Sequence, residues 1–141
     1  MDPTKFISLS VDERVALIRR GIPATHVGEL AARMDMPRTW LLNCLGISRA
    51  SFTRKSRTEA AMHPYASELI LGVDDLIDQV AAMVARWGDP KDFDAARWMG
   101  HWLNQPLPAL DGRRPADYLD TMEGQRLVSN LITTAVSGAY V

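Results

Sequence analysis

The sequence predicts an all-α protein: a helix-turn-helix module followed by a second helical module. Three observations carry this. Capping residues and glycines bracket runs of helical apolar periodicity along the chain. One long segment places Leu69, Val73, Leu76, Val80, Met83 and Trp87 at alternating steps of four and three. No segment alternates polar and apolar residues between hairpin turns, as a half-buried strand would.

Taken in order, Ser10-Val11-Asp12-Glu13 is a capping box, followed by Val15 and Ile18 on one face and closed by Gly21. Thr25 is read as the cap of a second helix, with Val27, Leu30, Ala31 and Met34 facing inward. Pro37 suits the start of a third, carrying Trp40, Leu41, Cys44 and Leu45. Gly46 ends it and Ser48 caps a fourth helix over residues 49–57. Pro64 opens the long striped helix, in which Gly72 predicts a kink or a late start. Gly88-Asp89-Pro90 stops it. Ala95, Trp98, Met99 and Trp102 mark another helix, halted at Asn104-Gln105-Pro106. Residues 107–114 read as a loop turning at Asp111-Gly112, and Pro115–Leu119 as one helical turn. Thr121 caps a last helix bearing Leu127, Val128, Leu131, Ile132 and Ala135, with Glu123 in its first turn and Gly138 as its end. Trp87, Trp98 and Trp102, at helical spacing, are assigned to the core.

The 141 residues suffice for one compact domain or two small ones sharing a core, and 47% hydrophobic content is too apolar for a disordered chain. No apolar run nears the roughly 18 residues of a membrane span, and no basic-then-apolar leader is visible, so a cytoplasmic protein without membrane attachment is expected. The single Cys44 sits among apolar neighbours, as a structural thiol does. The net charge of −1 hides an asymmetry: residues 1–62 carry +4 and residues 63–141 carry −5. We therefore divide the chain at that point, into a basic half able to meet phosphate and an acidic half with another task.

The basic charge concentrates on the segment after Gly46. In a helix-turn-helix the second helix enters the major groove, and its first residues touch base edges. Here it offers Ser48, Arg49, Ser51, Thr53, Arg54, Lys55 and Arg57, with four cations and no acid. Arginine suits guanine edges; hydroxyls suit phosphate. The bland alternative is a solvated basic helix on a core-forming pair. Phe52 is expected to point inward.

The acidic half carries Trp102-Leu103, Pro106, Leu110, Gly112, Pro115, Leu119, Thr121, Gly124, Val128, Leu131 and Gly138 in that order and spacing. This pattern resembles the toxin-binding domain of the Xre/MbcA/ParS antitoxin family. Gly46-Ile47-Ser48 followed by Thr53-Arg54 is similar to that family's Xre-type helix-turn-helix. The resemblance spans roughly residues 25–141. It implies an all-α type II antitoxin that dimerises and forms hetero-oligomers with a RES-domain, NAD-depleting toxin. It further implies that the antitoxin masks the toxin's active site largely with its C-terminal end, and binds operon promoter DNA as an autorepressor. For this chain that end is Gly138, Ala139, Tyr140 and Val141, with Tyr140 as an amphipathic anchor and Val141 as a free carboxylate. A frayed terminus is the alternative. Arg113 and Arg114 are candidate contacts to an acidic toxin surface, although adjacent loop arginines are often merely solvated.

No catalytic or metal site is expected, and no cofactor. His26, His63 and His101 lack ligand-spaced partners, and no glycine-rich phosphate loop is present. Asp74-Asp75 and Asp92 with Asp94 could pair for acid–base work, but they are read as acids near helix starts. The rival function is a stand-alone helix-turn-helix transcription regulator whose acidic half only dimerises. A third reading is a pure inhibitor with a helix-turn-helix that does not bind DNA.

Overall fold

The computed structural model describes residues 9–139. Seven α-helices follow in order: α1 (Val11–Arg20), α2 (Thr25–Arg33), α3 (Arg38–Leu45), α4 (Arg49–Arg57), α5 (Pro64–Trp87), α6 (Ala95–Trp102) and α7 (Met122–Ala139). Two short 3-10 turns, Pro108–Leu110 and Pro115–Tyr118, lie between α6 and α7. The architecture is all-α, as the periodicity predicts; the described residues pair extended backbone only at an isolated bridge between Pro23 and Ala61.

The long helix α5 is the axis of the molecule. It packs on α1, α3, α6 and α7. Its apolar stripe is therefore wider than the sequence stripe. Ile70, Leu71, Ile77 and Val84 are buried alongside Leu69, Val73, Leu76, Val80 and Met83. A helix buried nearly all round lies inside a structure rather than on its surface.

Several local expectations meet corrections. Gly72 does not delay α5, which starts at Pro64 and runs unbroken through it. Gly72 is where Gln125 of α7 crosses: a β-carbon there would overlap the Gln125 Oε1 and stand 2.9 Å from its Cδ. Trp87 is not core. It lies at the last residue of α5, is 52% exposed, and the Arg86 guanidinium sits over its ring at 5.0 Å. Trp98 and Trp102 do pack, stacked at 5.6 Å and 11° against the core. Thr25 is the first residue of α2 rather than its cap; Ala24 stands at the cap position with no side-chain bond. Asp74 and Asp75 sit in the middle of α5, not near a helix start, because they answer cations from two other helices.

Other signals are met. Ser10 and Glu13 form the capping box, with Glu13 N–H donating to Ser10 Oγ at 3.1 Å and Ser10 N–H donating to Glu13 Oε1 at 3.2 Å. Asp94 caps α6 through the Arg97 N–H at 3.1 Å. Thr121 Oγ1 accepts from the Gly124 N–H at 2.9 Å at the head of α7. Fully buried Ser67 ties two linkers together, accepting from Ile22 N–H at 2.8 Å and donating to Met62 O at 3.2 Å.

Candidate functional site

Two surfaces carry the sequence's functional candidates. The first is the α3-turn-α4 unit. Gly46 ends α3 in the left-handed region (φ 68, ψ 27), a backbone that glycine adopts without the steric cost of a β-carbon. Ile47 N–H then donates to Leu42 O at 2.9 Å, which fixes the sharp turn. Ser48 Oγ accepts from Ser51 N–H at 3.3 Å and starts α4. Phe52, 3% exposed, turns inward and anchors α4 to the core.

With Phe52 inward, Arg49, Thr53, Arg54 and Arg57 face solvent. No salt bridge or side-chain hydrogen bond occupies the Arg49, Arg54 or Arg57 guanidinium among the described residues. Ser48 is exposed, but its hydroxyl is engaged as a cap. Ser51 and Lys55 are half-buried, and Lys55 Nζ donates to Ala61 O at 3.4 Å. The open cationic edge of the helix is therefore Arg49, Arg54 and Arg57.

The second surface is built from α5, α6 and α7 with the loop between the last two. Val128, Ile132 and Val136 form the buried face of α7. Gln125 Nε2 donates to Leu69 O and to Leu119 O, each at 3.0 Å, from a side chain that is 4% exposed. Farther along, Gln79 Nε2 donates to Ser129 O at 2.9 Å, and Ser129 Oγ donates to Gln79 Oε1 at 2.7 Å. Apolar packing and this polar ladder hold α7 along α5.

Gly138 does not end α7 but lies inside its last turn, exposed and with nothing within 4 Å of where a side chain would stand. One glycine costs a helix about 1 kcal/mol, too little to stop one that is otherwise anchored. Ala139 is the last helical residue; Tyr140 and Val141 lie outside the described residues.

The two arginines of the loop differ. Arg113 Nη1 donates to the Tyr118 hydroxyl at 3.1 Å from an exposed position. Arg114 is committed inward. Its Nη1 donates to Asn104 Oδ1 at 3.0 Å and its Nη2 to Asp117 Oδ1 at 2.8 Å, and that bond holds the Asp117 carboxyl below its ordinary range. Asn104 Oδ1 also accepts from the Trp40 indole N–H at 2.8 Å. Asn104 thus joins α3 to the α6–α7 loop, a junction the sequence reading did not single out.

A cleft of about 360 Å³ opens beside this junction, between Cys44 and Trp40 of α3 and Arg114 and Asp117 of the loop. Burial pushes the Cys44 thiol up to about 11, against the pull of Arg114, so it is protonated at neutral pH and is not a nucleophile.

A second set of groups missed in sequence ties α1 and α2 to α5. Asp74 Oδ2 lies 2.8 Å from His26 Nε2 in the interior, and Arg33 Nη1 is 3.5 Å from the other oxygen. Arg14 Nη2 grips both oxygens of Asp75, at 3.0 and 2.7 Å. Asp78, one turn on, has no such partner among the described residues. Burial and then Asp74 and Asp75 push its carboxyl up to about 6. Neither set groups three or more metal-binding side chains, and such a group is absent among the described residues. No described helix is long and apolar enough to cross a membrane.

Comparison with known proteins matches both surfaces. Residues 13–73 match the antitoxin Xre-like helix-turn-helix domain. Residues 84–135 match the antitoxin Xre/MbcA/ParS C-terminal toxin-binding domain. A relative from Sphingobium sp. (strain YBL2), the Prs ADP-ribosylating antitoxin, is 34% identical over 128 residues, spanning 91% of this chain and 80% of its own.

Proposed function

This chain belongs to the Xre/MbcA/ParS antitoxin family, with a toxin as its partner, and from that premise we propose that it neutralises a RES-domain toxin and represses its own operon. The observation that carries the reading is the coincidence of the toxin-binding match, residues 84–135, with α6 and α7, which α5 holds in place. A helix fixed along its length by Gln79 and Gln125 presents its C-terminal end at a defined position. Gly138 and Ala139 of its last turn, with Tyr140 and Val141 next in sequence, are the segment that enters the toxin's active site. Arg113, exposed and bonded to the Tyr118 hydroxyl rather than to an acid, is the loop cation that meets an acidic surface of the toxin. Arg114, bound to Asn104 and Asp117, shapes the loop instead. The protein acts as an inhibitor and not as an enzyme.

The relative's name couples an antitoxin with ADP-ribosylation of Prs. That favours a partner that transfers ADP-ribose as well as one that depletes NAD. Both chemistries break the nicotinamide–ribose bond of NAD, so one mask serves for either.

The same chain meets DNA through α4. Arg49, Thr53, Arg54 and Arg57 supply the outward edge, and Ser48, Ser51 and Lys55 hold and flank it. A homodimer would set two α4 helices on two half-sites. Division into a DNA-binding part, residues 1–62, and a toxin-binding part, residues 63–141, follows this use. Promoter binding makes the antitoxin an autorepressor working in the cytoplasm. The toxin-binding match favours this reading over a regulator whose acidic half only dimerises.

The test is titration of purified toxin, its NAD consumption followed by nicotinamide release, with the full chain and with a chain ending at Ser137. The full chain should abolish turnover near stoichiometry, and the shortened one should leave most of it. Undiminished turnover with the full, folded chain would refute the reading.

A further inference from the structure

We propose that Arg38, at the first position of α3, is a phosphate clamp of the DNA-binding surface, held ready by Phe52; this rests on the DNA-binding reading above. Its guanidinium carbon lies 5.1 Å from the centroid of the Phe52 ring, and the side chain is exposed. Phe52 belongs to α4, three residues beyond Arg49, so the stack brings a cation of the first helix of the unit against the base-reading helix. In a helix-turn-helix the first helix crosses the sugar–phosphate backbone while the second enters the groove. Arg38 stands at that seam.

A guanidinium held over a ring face spends none of its N–H donors on a hydrogen bond, and that planar fork of donors can take two phosphate oxygens at once. The stack also fixes a side chain that would otherwise lose much rotamer freedom on binding. No acid competes for it. The first turn of α3 carries none, and Asp35, the nearest acid in sequence, pairs with Arg97 at 3.6 Å. Charge and order are thus both in place without an ion-pair partner among the described residues. A phosphate contact positions the protein on the duplex but carries no base information. Arg38 should therefore set affinity and salt dependence, and Arg49, at the start of α4, should set sequence preference.

The experiment uses the full chain and two duplexes: the region upstream of its own coding sequence, and a scrambled duplex of equal length. Affinity is measured across a salt series for the wild type, Arg38→Met, Arg38→Lys and Arg49→Ala. Methionine keeps an apolar cover on Phe52 and removes the charge; lysine keeps the charge. Arg38→Met should lower the slope of log affinity against log salt by about one, and should weaken both duplexes by the same factor, about five- to tenfold near 0.1 M salt. Arg38→Lys should retain the slope. Arg49→Ala should change the ratio between the duplexes. Melting temperatures of both Arg38 variants should match the wild type, since a merely structural stack would shift them.

An unchanged slope and affinity in Arg38→Met, with wild-type binding intact, would overturn this inference alone. A changed ratio between duplexes at constant slope would also overturn it, by making Arg38 a base reader. Failure of the wild type to bind either duplex would overturn the DNA-binding reading and this inference with it.

Discussion

Replacing Gly72 by alanine tests how α7 is fixed to α5, and the outcome can be worked from opposing effects. On an exposed helix the change would stabilise by about 0.5–1 kcal/mol, because alanine is the better helix former. Here the new methyl would occupy the position of the Gln125 Oε1, 2.9 Å from its Cδ, so the amide must leave. Leaving breaks two bonds, to Leu69 O and Leu119 O, inside a site that is 4% exposed. Each is a net contribution of about 1 kcal/mol, and stranding the amide or its carbonyl partners without new ones adds another 1–2 kcal/mol. The expected balance is a loss of about 2–3 kcal/mol, a fall of roughly 1–2 M in the urea midpoint for a chain of this size. A cycle with Gln125→Ala isolates the cause. In that background Gly72→Ala should cost nothing, or should recover the helix-propensity gain. Urea unfolding followed by far-UV circular dichroism reads all four proteins. If Gly72→Ala with Gln125 intact is as stable as the wild type or more so, the crossing is not the constraint described here.

Three further outcomes follow from the same geometry. Asp78 is raised to about 6 in the folded chain, above the ordinary carboxylate value, so the folded state binds more protons between about pH 4 and 6 and its stability falls as pH rises through that window. Asp78→Asn should then stabilise the protein at pH 7 by about 1 kcal/mol, after discounting for solvent screening at a half-exposed site, and should have no effect below pH 4; an equal effect at both pH values in urea unfolding would contradict this. Asn104→Ala removes the shared acceptor of Trp40 and Arg114 and should cost about 1–3 kcal/mol, with a coupling of about 1 kcal/mol to Trp40→Phe, whereas strict additivity in thermal unfolding would dissolve the junction. Cys44, with its thiol pushed up to about 11, should alkylate with iodoacetamide at pH 8 on the order of a hundredfold more slowly than in the denatured chain; equal rates would contradict its placement.

The parts of the fold legible in sequence were those fixed by local chemistry. Ser10 with Glu13, Ser48 with Ser51, and Thr121 with Gly124 are short-range pairings whose partners lie within a few residues. The inward turn of Phe52 followed from its place on a cationic helix. The parts that escaped depend on contacts far along the chain. Gly72 reads as a helix breaker until Gln125, on another helix, is laid across it. Asp74 and Asp75 read as helix-start acids until His26, Arg33 and Arg14 arrive from α1 and α2. Trp87 continues a stripe whose packing partners end before it does. Of the candidate surfaces, the cationic edge of α4 was visible because charge is local. Asn104 and Arg38 were not, since one acts by joining distant segments and the other by stacking on a neighbouring helix.

The most direct test of the antitoxin account is growth rescue. The RES-domain toxin proposed as the partner is induced alone, with the full chain, and with a chain ending at Ser137 that is verified to be folded and present. The account predicts normal growth with the full chain and arrest with the shortened one. Arrest with the full chain would contradict the antitoxin role in this pairing, and equal rescue by both would remove the C-terminal segment from the mask.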